Sequence, residues 1–220
     1  MAGPRGKRAV AGDLPQAPGA RSAGGERIRC FLAANIATEP LRNLQVLQRQ
    51  LREALQGVDL PLRWVPIENV HLTFKFLGDV SWAVIPAIEQ ALAPLCAAEP
   101  PLVFDLAGVG AFPNAARPRV LWVGVREPEA PRLGSLFARI EETFAELGFA
   151  REERPFKPHL TLARARPEGR RVDLCETLDR FAGIELGRTV ARALWLYRSE
   201  LRPQGARYTT LQRISFQETP

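Results

Sequence analysis

The chain has 220 residues, 46% of them hydrophobic and 25% charged, and a formal charge of +6. That is enough for one globular domain with a substantial core, and no apolar run reaches the roughly eighteen residues of a membrane span. Cys30, Cys96 and Cys175 are odd in number and unclustered, which excludes a disulfide framework and points to reduced, mostly buried thiols in a cytoplasmic protein.

Residues 1–27 are rich in Gly, Ala, Pro and Arg, without aromatics or periodicity, and are expected to form a disordered basic tail. Five basic residues (Arg5, Lys7, Arg8, Arg21, Arg27) against two acidic ones (Asp13, Glu26) place half of the net charge there. The folded domain, expected over 28–216, therefore carries a weaker electrostatic footprint than the total suggests. A strand is predicted over 28–36. Thr38-Glu39-Pro40 then opens a helix to about residue 56, with Leu41, Leu44, Leu47, Leu51 and Leu55 at helical spacing. Ser81 is read as the cap of a second helix ending near residue 97, in which Pro86 is an awkward interior residue. Strands are predicted over 102–109 and 120–125, a helix over 131–147 closed by Gly148, a short helix over 173–181, and late strands over 190–199 and 208–214.

The only two histidines sit in two copies of one pattern, His71-Leu72-Thr73-Phe74 and His159-Leu160-Thr161-Leu162. Strand alternation puts His71, Thr73 and Lys75 on one face and Val70, Leu72, Phe74 and Phe76 on the other. In the second copy His159 and Thr161 share a face, with Leu160 and Leu162 behind them. A lone histidine on an apolar strand is commonly structural, whereas the same tetrapeptide used twice implies chemistry. Two imidazoles with ordinary values near 6.5 can divide the work, one neutral and accepting a proton, the other charged and donating one, with a pH profile centred near neutrality. A threonine about 7 Å along each strand can hold a non-bridging oxygen, which suits in-line displacement at phosphorus. Two distant histidines without a Cys-x-x-Cys or His-x-x-x-His partner supply too few ligands for zinc, so no metal site is expected.

The motif strand recurs after 88 residues. An internal duplication follows: an α+β fold of two pseudo-twofold lobes, with mostly antiparallel sheets lining a central cleft and helices outside.

With its motifs set out, the chain resembles the 2H phosphoesterase superfamily, and within it the RNA 2′,3′-cyclic phosphodiesterases formerly called 2′-5′ RNA ligases. The likeness runs from about Arg29 to Leu211. It includes Arg29-Cys30-Phe31-Leu32-Ala33, Trp64, His71-Leu72-Thr73-Phe74-Lys75-Phe76-Leu77-Gly78, Phe112-Pro113, Arg117-Pro118-Arg119-Val120-Leu121-Trp122, Pro158-His159-Leu160-Thr161-Leu162-Ala163-Arg164, Ser199-Glu200-Leu201-Arg202-Pro203, Gly205 and Tyr208. The resemblance implies a bilobal fold with neither metal nor nucleotide cofactor, acting on RNA ends or oligonucleotides bearing a terminal 2′,3′-cyclic phosphate. It implies that His159 is the proton acceptor that activates water and His71 the proton donor to the departing 3′ oxygen, leaving a 2′-phosphate. Thr73 and Thr161 would bind phosphoryl oxygens. Phe31, Lys75, Arg164 and Tyr208 are further candidates for substrate contact, and a soluble monomer is expected. Two other readings stay open at the level of sequence: joining of RNA ends in 2′-5′ linkage by the reverse reaction, and a non-catalytic binder of RNA ends.

Overall fold

The computed structural model describes residues 26–128, 131–166, 172–203 and 205–218. The expected basic tail thus lies outside the described residues up to Gly25, and the first strand already begins at Arg27. Nine strands and four α-helices follow one another among the described residues as β1 (Arg27–Ala34), α1 (Thr38–Ala54), β2 (Leu62–Trp64), β3 (Leu72–Ser81), α2 (Ile85–Ala97), β4 (Leu102–Phe112), β5 (Val120–Arg126), α3 (Leu133–Glu146), β6 (His159–Ala165), α4 (Cys175–Asp179), β7 (Glu185–Ala191), β8 (Ala193–Arg202) and β9 (Gly205–Ser215). Every pairing is antiparallel.

The sheet order β7-β4-β5-β6-β3-β1-β8-β9, with β2 added beside β6, divides at its centre. There β3 and β6 touch through one residue pair, Leu72 opposite Leu160. One half is β3-β1-β8-β9 and the other β6-β5-β4-β7. Each half has a strand, a helix and a motif strand in the same chain order: β1, α1, β3 and β5, α3, β6. The helices cross over. Helix α1 leaves the first half but hydrogen-bonds the second, Asn43 Nδ2 donating to the Leu186 carbonyl at 3.0 Å and Gln48 Nε2 to the Leu162 carbonyl of β6 at 3.4 Å. Helix α3 leaves the second half and packs on β3 of the first. One core joins both halves, with Leu32, Leu44, Leu72, Leu121, Ile140 and Leu160 fully buried. This is the duplicated α+β architecture expected from the repeat.

Local details depart from the sequence reading for identifiable reasons. Ser81 accepts a hydrogen bond from Ala83 N–H and caps a 3₁₀ turn, Trp82–Val84, so that Pro86 falls in the first turn of α2, where its missing N–H has no intrahelical partner to lose. The proline inside that helix is Pro94. Strand β7 escaped the sequence reading because an edge strand reading Glu-Leu-Gly-Arg-Thr-Val-Ala shows little apolar alternation. Gly148, with φ +85°, closes α3 as expected. Cys30 and Cys96 are buried but Cys175 is exposed.

Candidate active site

The antiparallel contact of Leu72 with Leu160 fixes how the two motifs meet. Its register sets His71 and Thr161 to one side of the pair and Thr73 and His159 to the other. Each imidazole is oriented in the same way. Nδ1 of His71 lies 2.7 Å from the Asn69 carbonyl, and Nδ1 of His159 lies 2.7 Å from the Lys157 carbonyl. A carbonyl can only accept, so each Nδ1 carries the proton and each neutral ring keeps a free Nε2 acceptor. Asn69 is itself held, its side-chain amide donating to the Ala206 carbonyl at 2.7 Å.

The environments of the two rings differ. His71 stacks on Phe31 at 4.7 Å between centroids, with the edge of Tyr208 at 5.5 Å. Desolvation drives its pKa down to about 4, and Arg164 adds to the fall while the Asn69 hydrogen bond opposes it. His159 meets the edge of Phe112 at 4.9 Å. Its pKa is also lowered, first by desolvation and then by Arg164, against the Lys157 hydrogen bond. One guanidinium therefore acts on both rings. Arg164 is partly desolvated in turn, which lowers its own pKa, with Tyr208 opposing the shift.

Two β-bulges decide which side chains share the histidine face. On β3, Thr73 pairs with Ala33 and Lys75 with Leu32, so that Phe74 is the extra residue and the alternation reverses after it. On β6, Thr161 pairs with Trp122 and Ala163 with Leu121, and Leu162 is the extra residue. The bulges are equivalent in the two lobes, and each brings the fifth residue after its histidine back to the histidine face: Phe76 in one, Arg164 in the other. The extra residue's carbonyl is not wasted on β6, where Leu162 accepts from Val65 N–H at 2.8 Å.

The sequence-derived candidates are thus separated. His71, His159, Thr73, Thr161, Arg164 and Tyr208 are brought together. Lys75 is not among them: the bulge turns it into the core, 6% exposed, where Nζ donates to both Glu141 carboxylate oxygens at 2.8 and 2.7 Å and to the Ala150 carbonyl at 2.9 Å. Phe31 is also corrected, because at 2% exposure it lies beneath His71, Tyr197 and Tyr208 and offers no free ring face. Phe76, assigned by simple alternation to the apolar side, is 50% exposed beside it. Trp122 lies on the histidine face next to Thr161, across a glycine that has to be one: a Cβ on Gly110 would stand 2.3 Å from its Cζ2. The Asn69 and Lys157 carbonyls escaped the sequence reading because backbone acceptors leave no residue signature. Phe112 stood within the quoted motifs, but only the fold sets it against His159. Among the described residues there is no group of three or more His, Cys, Asp or Glu that could hold a metal ion, and no helix long and apolar enough to cross a membrane.

The family described as LigT-like phosphoesterase matches residues 36–122 and again 123–208. The chain belongs to this family. Each of the two consecutive matches contains one of the two histidine motifs. The RNA 2′,3′-cyclic phosphodiesterase of Methanothermobacter thermautotrophicus is 32% identical over 186 residues, covering 84% of this chain and 97% of that protein. Among solved structures, TT0787 of Thermus thermophilus aligns with a TM-score of 0.70 at 29% identity, covering 86% of this chain and 98% of that one. Escherichia coli LigT complexed with 3′-AMP aligns at 0.66 and 25% identity, covering 88% of this chain and 100% of that one. The two histidine-threonine pairs of this chain open the strands through which its lobes meet, His71 just before β3 and His159 first in β6.

Proposed function

We infer that this chain hydrolyses terminal 2′,3′-cyclic phosphates of RNA to 2′-phosphates by metal-independent acid and base catalysis between its two histidines. The observation that carries this reading is the matched orientation of the rings, each turned by an Nδ1–H bond to a carbonyl at 2.7 Å and both within the field of Arg164. The activity named for the Methanothermobacter relative supports the choice of substrate.

In this mechanism Thr73, Thr161 and Arg164 hold the non-bridging oxygens of the cyclic phosphodiester, donors placed where negative charge grows. His159 Nε2 takes a proton from water as its oxygen attacks phosphorus in line with the bond to the 3′ oxygen. His71 gives its Nε2 proton to that oxygen as the bond breaks, and the 2′-phosphate remains. A ring whose pKa is about 4 in the free protein is not charged at neutral pH. The substrate's own negative charge raises it on binding, so the acid is loaded by the molecule it acts upon. With a 5′-hydroxyl in place of water, the same displacement of the 3′ oxygen joins two RNA ends through a 2′-5′ linkage.

The test is hydrolysis of a cyclic-phosphate dinucleotide by the purified chain in excess EDTA, with the product read by phosphorus NMR. A 2′-phosphate is expected. A 3′-phosphate would reverse the leaving group, and activity that needs an added divalent metal would overturn the mechanism.

A further inference from the structure

Where β2 lies against β6, on the side of the second lobe that faces the first, charge is arranged against electrostatic sense. Arg63 on β2 stands directly opposite Arg164 on β6, and like charges at opposed positions destabilise a sheet. Elsewhere in the same lobe the register does the reverse. Arg188 on β7 faces Asp105 on β4 and is bound by it at 2.8 Å. Arg63 and Arg164 meet no carboxylate among the described residues, and neither does Arg166, two residues further along the chain.

Their common face follows from the register. Thr161 pairs with Trp122 and Arg164 with Val120, two positions apart on β5, so Arg164 shares the face of Thr161. Its partner Arg63 lies on that face too, while Leu62 and Trp64 turn to the opposite side, toward Arg52 of α1 and Leu55 just after it. The Arg166 N–H bonds to the Pro61 carbonyl at 2.9 Å, which continues the β2–β6 ladder by one step, and alternation returns its side chain to the same face. Arg63 is steadied from the first lobe, its Nη2 donating to the Arg202 carbonyl at 3.1 Å near the tip of the β8–β9 hairpin. All three side chains are exposed. The result is a cluster of three guanidinium groups, with Arg164 at the cleft, Arg63 across the ladder from it and Arg166 about 7 Å further along the strand, a step comparable to that of an extended nucleotide chain.

We propose that Arg63 and Arg166 bind the phosphates immediately 5′ of the terminal nucleotide, so that the protein's substrate is the end of an RNA chain and not a free cyclic nucleotide. This rests on the cleft being the phosphodiesterase site inferred above. The cost of opposing two arginines is offset when a polyanion lies between them, and each neutralised phosphate releases counterions.

The full chain and the variants R63Q/R166Q and R63K/R166K separate the possibilities. Binding is measured by fluorescence anisotropy on a labelled ten-nucleotide RNA ending in a 2′-phosphate, which needs no turnover, between low and physiological salt. Hydrolysis of a cyclic-phosphate dinucleotide is measured alongside. The glutamine variant is expected to bind the long RNA roughly tenfold more weakly at low salt, with a slope of log affinity against log salt shallower by about 1.4 for two lost phosphate contacts. The lysine variant is expected to restore both quantities, and the dinucleotide to be hydrolysed with the same kcat at saturation by all three proteins, its KM raised in the glutamine variant because it carries one phosphate 5′ of its terminal nucleotide. Unchanged long-RNA affinity and slope in the glutamine variant would overturn the proposal while leaving the catalytic reading intact. Failure of every protein to hydrolyse the dinucleotide would count against the catalytic reading, and the anisotropy result would still decide the role of the arginines.

Discussion

At the scale of single residues, His71 is the group most altered by the fold. Phe31 beneath it and Tyr208 at its edge remove water from the ring, and its pKa falls to about 4. His159 is shifted in the same direction. Both free-protein values therefore lie below the ordinary 6.5, and the limbs of kcat/KM, which report the free protein, are expected on the acid side of that value, not centred near neutrality. The limbs of kcat report the complex, where the bound anion favours imidazolium, and are expected at higher pH. Coincident limbs for the two parameters would show that substrate charge does not load the acid. Stability should follow the same shift. Unfolded His71 takes up a proton below about 6.5 and folded His71 only near 4, so its contribution is complete above 6.5 and is lost as pH falls from 6.5 toward 4. The amount is about 3 kcal/mol, measurable by urea unfolding at a series of pH values. A His71→Asn variant is expected to show a flatter acid limb in that series, and an unchanged one would exclude His71 as the cause.

At the scale of elements, bulges and strand ends decide more than propensity does. Leu72 and Leu160 alternate as read from the sequence, and the two histidine faces could be drawn correctly as far as each threonine. One residue later the period breaks, because an extra residue in a strand has no signature in hydrophobicity when both it and its successor are buried. Ala163 after Leu162 conceals the reversal completely. Lys75 after Phe74 gives a misleading polar cue, its charge being matched inside the core by Glu141. That ion pair ties β3 to α3 and, through Ala150 and the Glu152 N–H, to the segment that leads toward His159. Phe156 in the same segment is stacked between Phe137 of α3 at 4.4 Å and Phe74 of β3 at 5.8 Å. Lys75→Met leaves a buried carboxylate alone and is expected to cost about 3–5 kcal/mol in urea unfolding, most of it recovered in the K75M/E141L pair. A loss below about 1 kcal/mol, the range of an exposed pair, would mean that Lys75 is not buried against Glu141 in solution.

At the scale of the whole molecule, duplication gives each lobe a strand, a crossing helix and a histidine strand, and lets one residue pair between the lobes, Leu72 with Leu160, bring the two histidine strands together. The repeat of His-Leu-Thr was legible, and the bilobal plan with it. The difference between the lobes was not, since it comes from partners distant in sequence: β9 brings Tyr208 beside His71, while β4 sets Phe112 against His159. Arg164 and Phe76 occupy equivalent places after their bulges, so one lobe offers a cation where the other offers an aromatic ring. The central claim is that the two lobes contribute one proton-transfer group each to a single displacement at phosphorus. A cycle of His71→Ala, His159→Ala and the double variant, assayed for kcat on a cyclic-phosphate dinucleotide with folding checked by circular dichroism, tests it most directly. Each single variant is expected to lose about 10²–10⁴ in rate, and the double variant to be far less impaired than the product of the two losses, as for groups that act as a unit. A folded single variant with the activity of the parent chain, or losses that multiply in the double variant, would contradict a shared two-histidine step.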